Sequence, residues 1–136
     1  MAAYQPAKVP TTGAYTIDDH PNLLTPGLRE VFEAFRKEVL ALDPCVTEEI
    51  MKRYITYRAE TNVVVVIPHS KRLLLNINMA FAEINDPKRL CIDVTNRSRW
   101  GNGDTEVHLA SLDELPYIMG LVRQSYERQM GDGGQA

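Results

Sequence analysis

The stretch Asn62-Val63-Val64-Val65-Val66-Ile67-Pro68 decides the fold class. Five consecutive β-branched residues are stiff at χ1 and pack well on a pleated surface. A short run with no polar alternation predicts a central strand buried on both faces. Pro68-His69-Ser70 then turns the chain.

Working outward, Tyr54–Arg58 reads as the preceding strand, with Ala59-Glu60-Thr61-Asn62 as the turn between. Downstream, Leu73, Leu75, Ile77 and Met79 alternate with Leu74, Asn76 and Asn78, a mostly one-sided strand. Parallel strands need helical crossovers, and none separates these three, so the sheet is antiparallel. Upstream, Thr25-Pro26 opens a helix whose apolar face is Leu28, Val31, Phe32, Phe35, Val39 and Leu42. Asp43-Pro44 stops it near Leu42. Thr47 caps a short second helix through Lys52. On the other side, Asp86-Pro87 predicts one helical turn. Ile92 and Val94 mark a strand, and Val107 and Leu109 alternate with Glu106 and His108 in the next. Between them, Asn102-Gly103 favours positive φ at two successive positions and predicts a tight hairpin turn. Ser111-x-x-Glu114 has the form of a capping box, and Pro116 puts the regular helix start nearer Asp113. Leu115, Ile118, Met119, Val122 and Tyr126 form its apolar stripe, which stops at Gly131-Asp132-Gly133-Gly134.

This order predicts a single α+β domain, a mainly antiparallel sheet of about five strands with the N-terminal and C-terminal helices packed on it. The domain is expected over residues 15–130, with a flexible leader at 1–14 and a flexible tail at 131–136.

The 136 residues are 44% hydrophobic and 24% charged, as in a soluble globule. No segment reaches the ~20 apolar residues of a membrane span, and the N-terminus has no signal-peptide pattern. Cys45 and Cys91 are isolated, which suits a reducing cytoplasm. The net charge of −3 conceals a basic middle, +5 over residues 52–99. It holds Lys52-Arg53, Lys71-Arg72, Lys88-Arg89, Arg97 and Arg99. On one face these make an anion-binding surface, and scattered they merely solvate strand ends.

No phosphate loop, His-Glu-x-x-His or Gly-x-Ser-x-Gly motif occurs, so no catalytic residue, cofactor or metal is expected. His20, His69 and His108 read as surface or turn histidines. Asp104 and Glu106, two apart, share a strand face and are the best remaining pair for a divalent ion, without the lysine or further acids of a nuclease site. Tyr54 and Tyr57 sit among basic residues, either stacking bases or packing at a core edge. In Arg97-Ser98-Arg99-Trp100-Gly101-Asn102-Gly103-Asp104, two readings stand. Trp100 plugs the core, or Arg97, Arg99, Trp100 and Asp104 display two cations, a stacking face and a carboxylate on a rigid turn.

Several stretches together resemble the DUF5655 family. They are Tyr15–His20, Lys52–Arg58, Asn62–Pro68, Leu73–Met79, Arg99–Val107 and Asp113–Tyr126, and Trp100-Gly101-Asn102-Gly103-Asp104 is the most specific. The family has no established activity to carry over. The resemblance implies a prokaryotic setting beside modification-dependent restriction or nuclease-like domains. Val63 and Val65 depart from the family pattern, where an aromatic and an acid are expected, and so does Pro116.

The expected function is a non-catalytic accessory module for DNA-directed defence or processing in the cytoplasm. It would bind nucleic acid or a nuclease-type protein partner through Lys52, Arg53, Lys71, Arg72, Arg97 and Arg99. The alternatives are a protein-interaction or oligomerisation domain without nucleic-acid contact, and a small-molecule or modified-base pocket beside Trp100.

Overall fold

A computed structural model describes residues 15–97 and 101–135, with side chains as far as Gly131. The leader, Arg99 and Trp100 lie outside the described residues. Among those described, six strands form one sheet in the order β1-β2-β3-β4-β6-β5, every neighbouring pair antiparallel. They are β1 Thr47–Ile50, β2 Ile55–Arg58, β3 Asn62–Pro68, β4 Leu73–Ile77, β5 Ile92–Asp93 and β6 Thr105–Leu109. The valine run is β3, interior to the sheet and buried from Val63 through Pro68.

Helices α1 (Pro26–Leu40) and α2 (Leu115–Gln135) cover one face. Two cross-sheet rows meet them: Tyr57, Val64, Ile77 and Thr105, and beside it Ile55, Val66, Leu75 and Val107. These pack with Phe32, Phe35, Ile118 and Val122 in one core. Registering alternate residues puts Thr56, Val65, Asn76 and Glu106 on the opposite face.

The helices begin as their residues require. Pro26 takes the first position of α1, where no amide bond is lost. Thr25 stands at the N-cap, but its hydroxyl donates backward to the Asn22 carbonyl at 2.8 Å instead of capping. Ser111 and Glu114 form the expected capping box around a 3-10 turn at Leu112–Glu114. Pro116 is then the second residue of α2, before an amide is needed. The helix continues past the expected stop at Gly131 to Gln135.

The expected short helix from Thr47 is instead strand β1, which raises the strand count to six. Glu48 explains the change. It is fully buried, takes Arg36 Nε and Nη2 on its two oxygens at 2.7 and 2.8 Å, and accepts the Tyr57 hydroxyl at 2.8 Å. Pairing with β2 places Glu48 opposite Tyr57 on the helix-covered face, against α1. A local cap signal lost to a non-local charge pair and an aromatic contact, since Tyr57 also packs edge-on against Phe35 at 5.9 Å. Burial, then the Glu48 carboxylate, push the Tyr57 hydroxyl well above its ordinary pKa. Tyr57 is thus a core residue and not an edge or stacking residue.

Candidate functional site

The antiparallel order brings the ends of β1 and β3 and the starts of β2, β4 to one end of the sheet. Two turns lie there. The amide of Met51 donates to the Tyr54 carbonyl at 2.8 Å, closing a turn with Lys52 and Arg53 at its tip. The amide of His69 donates to the Arg72 carbonyl at 2.9 Å, closing the next around Ser70 and Lys71. Lys52, Arg53, Lys71 and Arg72 are all exposed. Two of the predicted basic doublets therefore share one end of the fold.

Between the turns and the segment entering α1 lies a cleft of about 290 Å³. Lys52, Arg53 and His69 line it from the turns, and His20 and Asn22 from the entering segment. Pro21, Ile67 and Pro68 supply its apolar wall, and no carboxylate is among these lining residues. Its sides are tied together. Asn22 Nδ2 donates to the Pro68 carbonyl at 3.0 Å. His20 Nε2 lies 2.8 Å from the Met51 carbonyl, and since a carbonyl only accepts, that nitrogen carries the proton. His20 is buried, so the expectation of a surface or turn histidine does not hold for it. The neighbouring acids are engaged elsewhere, Asp18 with Arg29 at 3.0 Å and Asp19 with the Thr16 amide at 2.7 Å.

The remaining candidates lie elsewhere. Lys88 Nζ sits 5.0 Å from the centre of the Tyr117 ring, and the Lys88 amide donates to the Tyr117 hydroxyl. Tyr117 also donates to Asp86. Burial raises the Asp86 carboxyl, but the hydrogen bonds from Tyr117 and the Cys91 and Leu90 amides outweigh it and leave it below the usual range. Arg97 and Asp104 belong to the β5–β6 connection, at the opposite end from the cleft.

That connection is not the predicted two-residue hairpin. The Val94 amide still pairs with the Asp104 carbonyl at 2.9 Å, and ten residues lie from one to the other along the sequence instead of a two-residue turn. Gly101, not Gly103, has positive φ, at 144°. A Cβ on Gly101 would meet Asn76 Oδ1 at 2.5 Å and Val65 Cγ2 at 3.1 Å, so this segment lies over the helix-free face. Asp104 precedes β6, and Glu106 is engaged by His108 Nε2 at 2.8 Å. The two carboxylates are therefore not one prepared ion site. Val65, one of the two departures from the family pattern, is buried beneath Gly101.

Sequence reasoning found the doublets but missed His20 and Asn22. Their partners stand 31 and 46 residues away, and only their position around Pro21 hinted at a rigid segment.

The model of a family described as a domain of unknown function, DUF5655, matches residues 18–129. A Haemophilus influenzae protein, itself described as uncharacterized, is 35% identical over 111 residues. That match covers 82% of this chain and 37% of the relative, so the chain spans little more than a third of the relative's length. No solved structure matches.

Proposed function

This chain belongs to the DUF5655 family, and from that premise we propose that it is a non-catalytic accessory module that binds nucleic acid through the end of its sheet bearing Lys52, Arg53, Lys71 and Arg72. One observation carries the reading: two basic turns, separate in sequence, stand side by side around a cleft lined by cations, imidazoles and an amide without a carboxylate. Lysine and arginine at such a surface engage phosphates and displace condensed counterions. The protein works in DNA-directed defence or processing, in a cytoplasm that keeps the thiols of Cys45 and Cys91 free.

The test is the salt dependence of duplex binding by fluorescence anisotropy. Four phosphate contacts give a slope of log affinity against log salt of about −3 to −4. Replacing Lys52 and Arg53 together by alanine should lower its magnitude by about 2. Affinity that is unchanged between low and high salt overturns the proposal.

A further inference from the structure

Resting on that nucleic-acid reading, we propose that the cleft between the two basic turns and the segment entering α1 takes the terminal phosphate monoester of a nucleic-acid strand. Four features select it. The first is size. At about 290 Å³ the cleft is at or below the lower bound of roughly 300–1,000 Å³ for pockets that enclose small ligands. It has room for one phosphorylated sugar and not for a strand running through.

The second is charge. A terminal monoester carries about −1.5 to −2 near neutral pH, against −1 for an internal diester. Lys52 and Arg53 are two fixed cations at the cleft, and they balance a dianion better than a single charge. The third is donor chemistry. Arg53 offers a planar fork and Lys52 a compact ammonium, which together suit the three terminal oxygens of a monoester. Ile67, Pro21 and Pro68 give the adjoining sugar or base an apolar wall. The fourth is preorganisation. The His20–Met51 and Asn22–Pro68 hydrogen bonds hold the two sides of the cleft together before anything binds, so little ordering is lost on binding.

The experiment measures anisotropy of one labelled single-stranded oligonucleotide prepared with a 5′-phosphate, a 3′-phosphate or hydroxyl ends. Inorganic phosphate and a nucleoside monophosphate serve as competitors. The expected result is at least about tenfold tighter binding of one phosphorylated form than of the hydroxyl form. The nucleoside monophosphate should compete better than inorganic phosphate. Lys52→Ala with Arg53→Ala should abolish the preference, both residues being exposed turn positions whose loss leaves the fold intact. Equal affinity for all three strands overturns the proposal. If that equal affinity still falls steeply with salt, the broader nucleic-acid reading survives without it. A preference that persists in the Lys52, Arg53 variant, or competition by inorganic phosphate equal to that of the phosphorylated strand, also overturns it.

Discussion

The side-chain amide of Asn76 pairs with the backbone of Gly103 as one strand pairs with another. Asn76 Nδ2 donates to the Gly103 carbonyl at 3.0 Å, and the Gly103 amide donates to Asn76 Oδ1 at 2.9 Å. Both residues are buried. A Cβ on Gly103 would stand 2.1 Å from the Ile77 carbonyl oxygen, so glycine is required there by close approach and not by backbone angle. Gly103→Ala must push the β5–β6 connection away from the end of β4 and should cost about 2–3 kcal/mol. Gly120→Ala provides the opposite sign. Gly120 is exposed inside α2 with nothing within 4 Å of its Cβ position, so alanine there should stabilise by about 0.5–1 kcal/mol. Urea denaturation of the two variants checks both signs.

Asn76→Asp tests the donor half of that pairing. The carboxylate still accepts from the Gly103 amide but turns a charged oxygen toward the Gly103 carbonyl. A buried acceptor without its donor costs about 1–3 kcal/mol, and more when charge is involved. Protonation restores an O–H donor. The new carboxyl is therefore favoured in its protonated form when folded, so its deficit is largest above its raised folded-state value and shrinks as pH falls from there to the ordinary aspartate value near ~4. Comparing variant and parent by urea denaturation at pH 7 and near pH 4 decides this, and a constant difference would refute it.

The contrast between what the sequence disclosed and what it hid follows from range. The β3 strand was legible because five β-branched residues leave no helical or amphipathic alternative, and the starts of both helices, Pro26 for α1 and the Ser111–Glu114 capping box before α2, are local chemistry. Thr47 to Ile50 misread as a helix because the reason for strand β1, the burial of Glu48 against Arg36 and Tyr57, lies on other elements. Asn102-Gly103 misread as a hairpin turn because Asn76, 27 residues earlier, captures Gly103. The basic doublets were visible as charge. Which of them meet depended on an extra strand, since β1 is what turns Lys52 and Arg53 toward the end where Lys71 and Arg72 lie.

Cys91 contributes to the loss of stability at alkaline pH. Burial, then its hydrogen bond to Asp86, push the thiol from 9.0 up to about 12. A thiol is neutral when protonated, so between these values the folded state holds a proton that the unfolded chain has released. Stability from this group is complete below pH 9 and falls as pH rises toward 12. The Cys45 thiol, raised by its hydrogen bond with Asp43, adds to the fall from the same pH, and the raised tyrosines Tyr57, Tyr117 and Tyr126 add to it only above pH 10. Between about pH 9 and 10, Cys91→Ala should therefore flatten the profile of unfolding free energy against pH. An unchanged slope in the variant assigns the alkaline loss to other groups.

The two ends of the sheet separate the nucleic-acid reading from its main rival site. Lys71 and Arg72 are exposed beside the cleft. Arg97 is exposed at the far end and lies near Asp93, whose carboxyl is held below its usual range by the Thr95 hydroxyl and amide first, with Arg97 contributing. Its charge is thus partly answered by its own protein, while no carboxylate lines the cleft beside the other two. Lys71→Ala with Arg72→Ala should weaken duplex binding about fivefold to tenfold at low salt and flatten the salt slope by about 2. Arg97→Ala should change affinity by less than about twofold. All three are surface substitutions, so melting curves should stay within about 0.5 kcal/mol of the parent. If Arg97→Ala removes binding while the Lys71, Arg72 variant retains it, the contact surface is the β5–β6 connection. Arg99, Trp100 and Asp104 then become the residues to test, and the cleft loses its role.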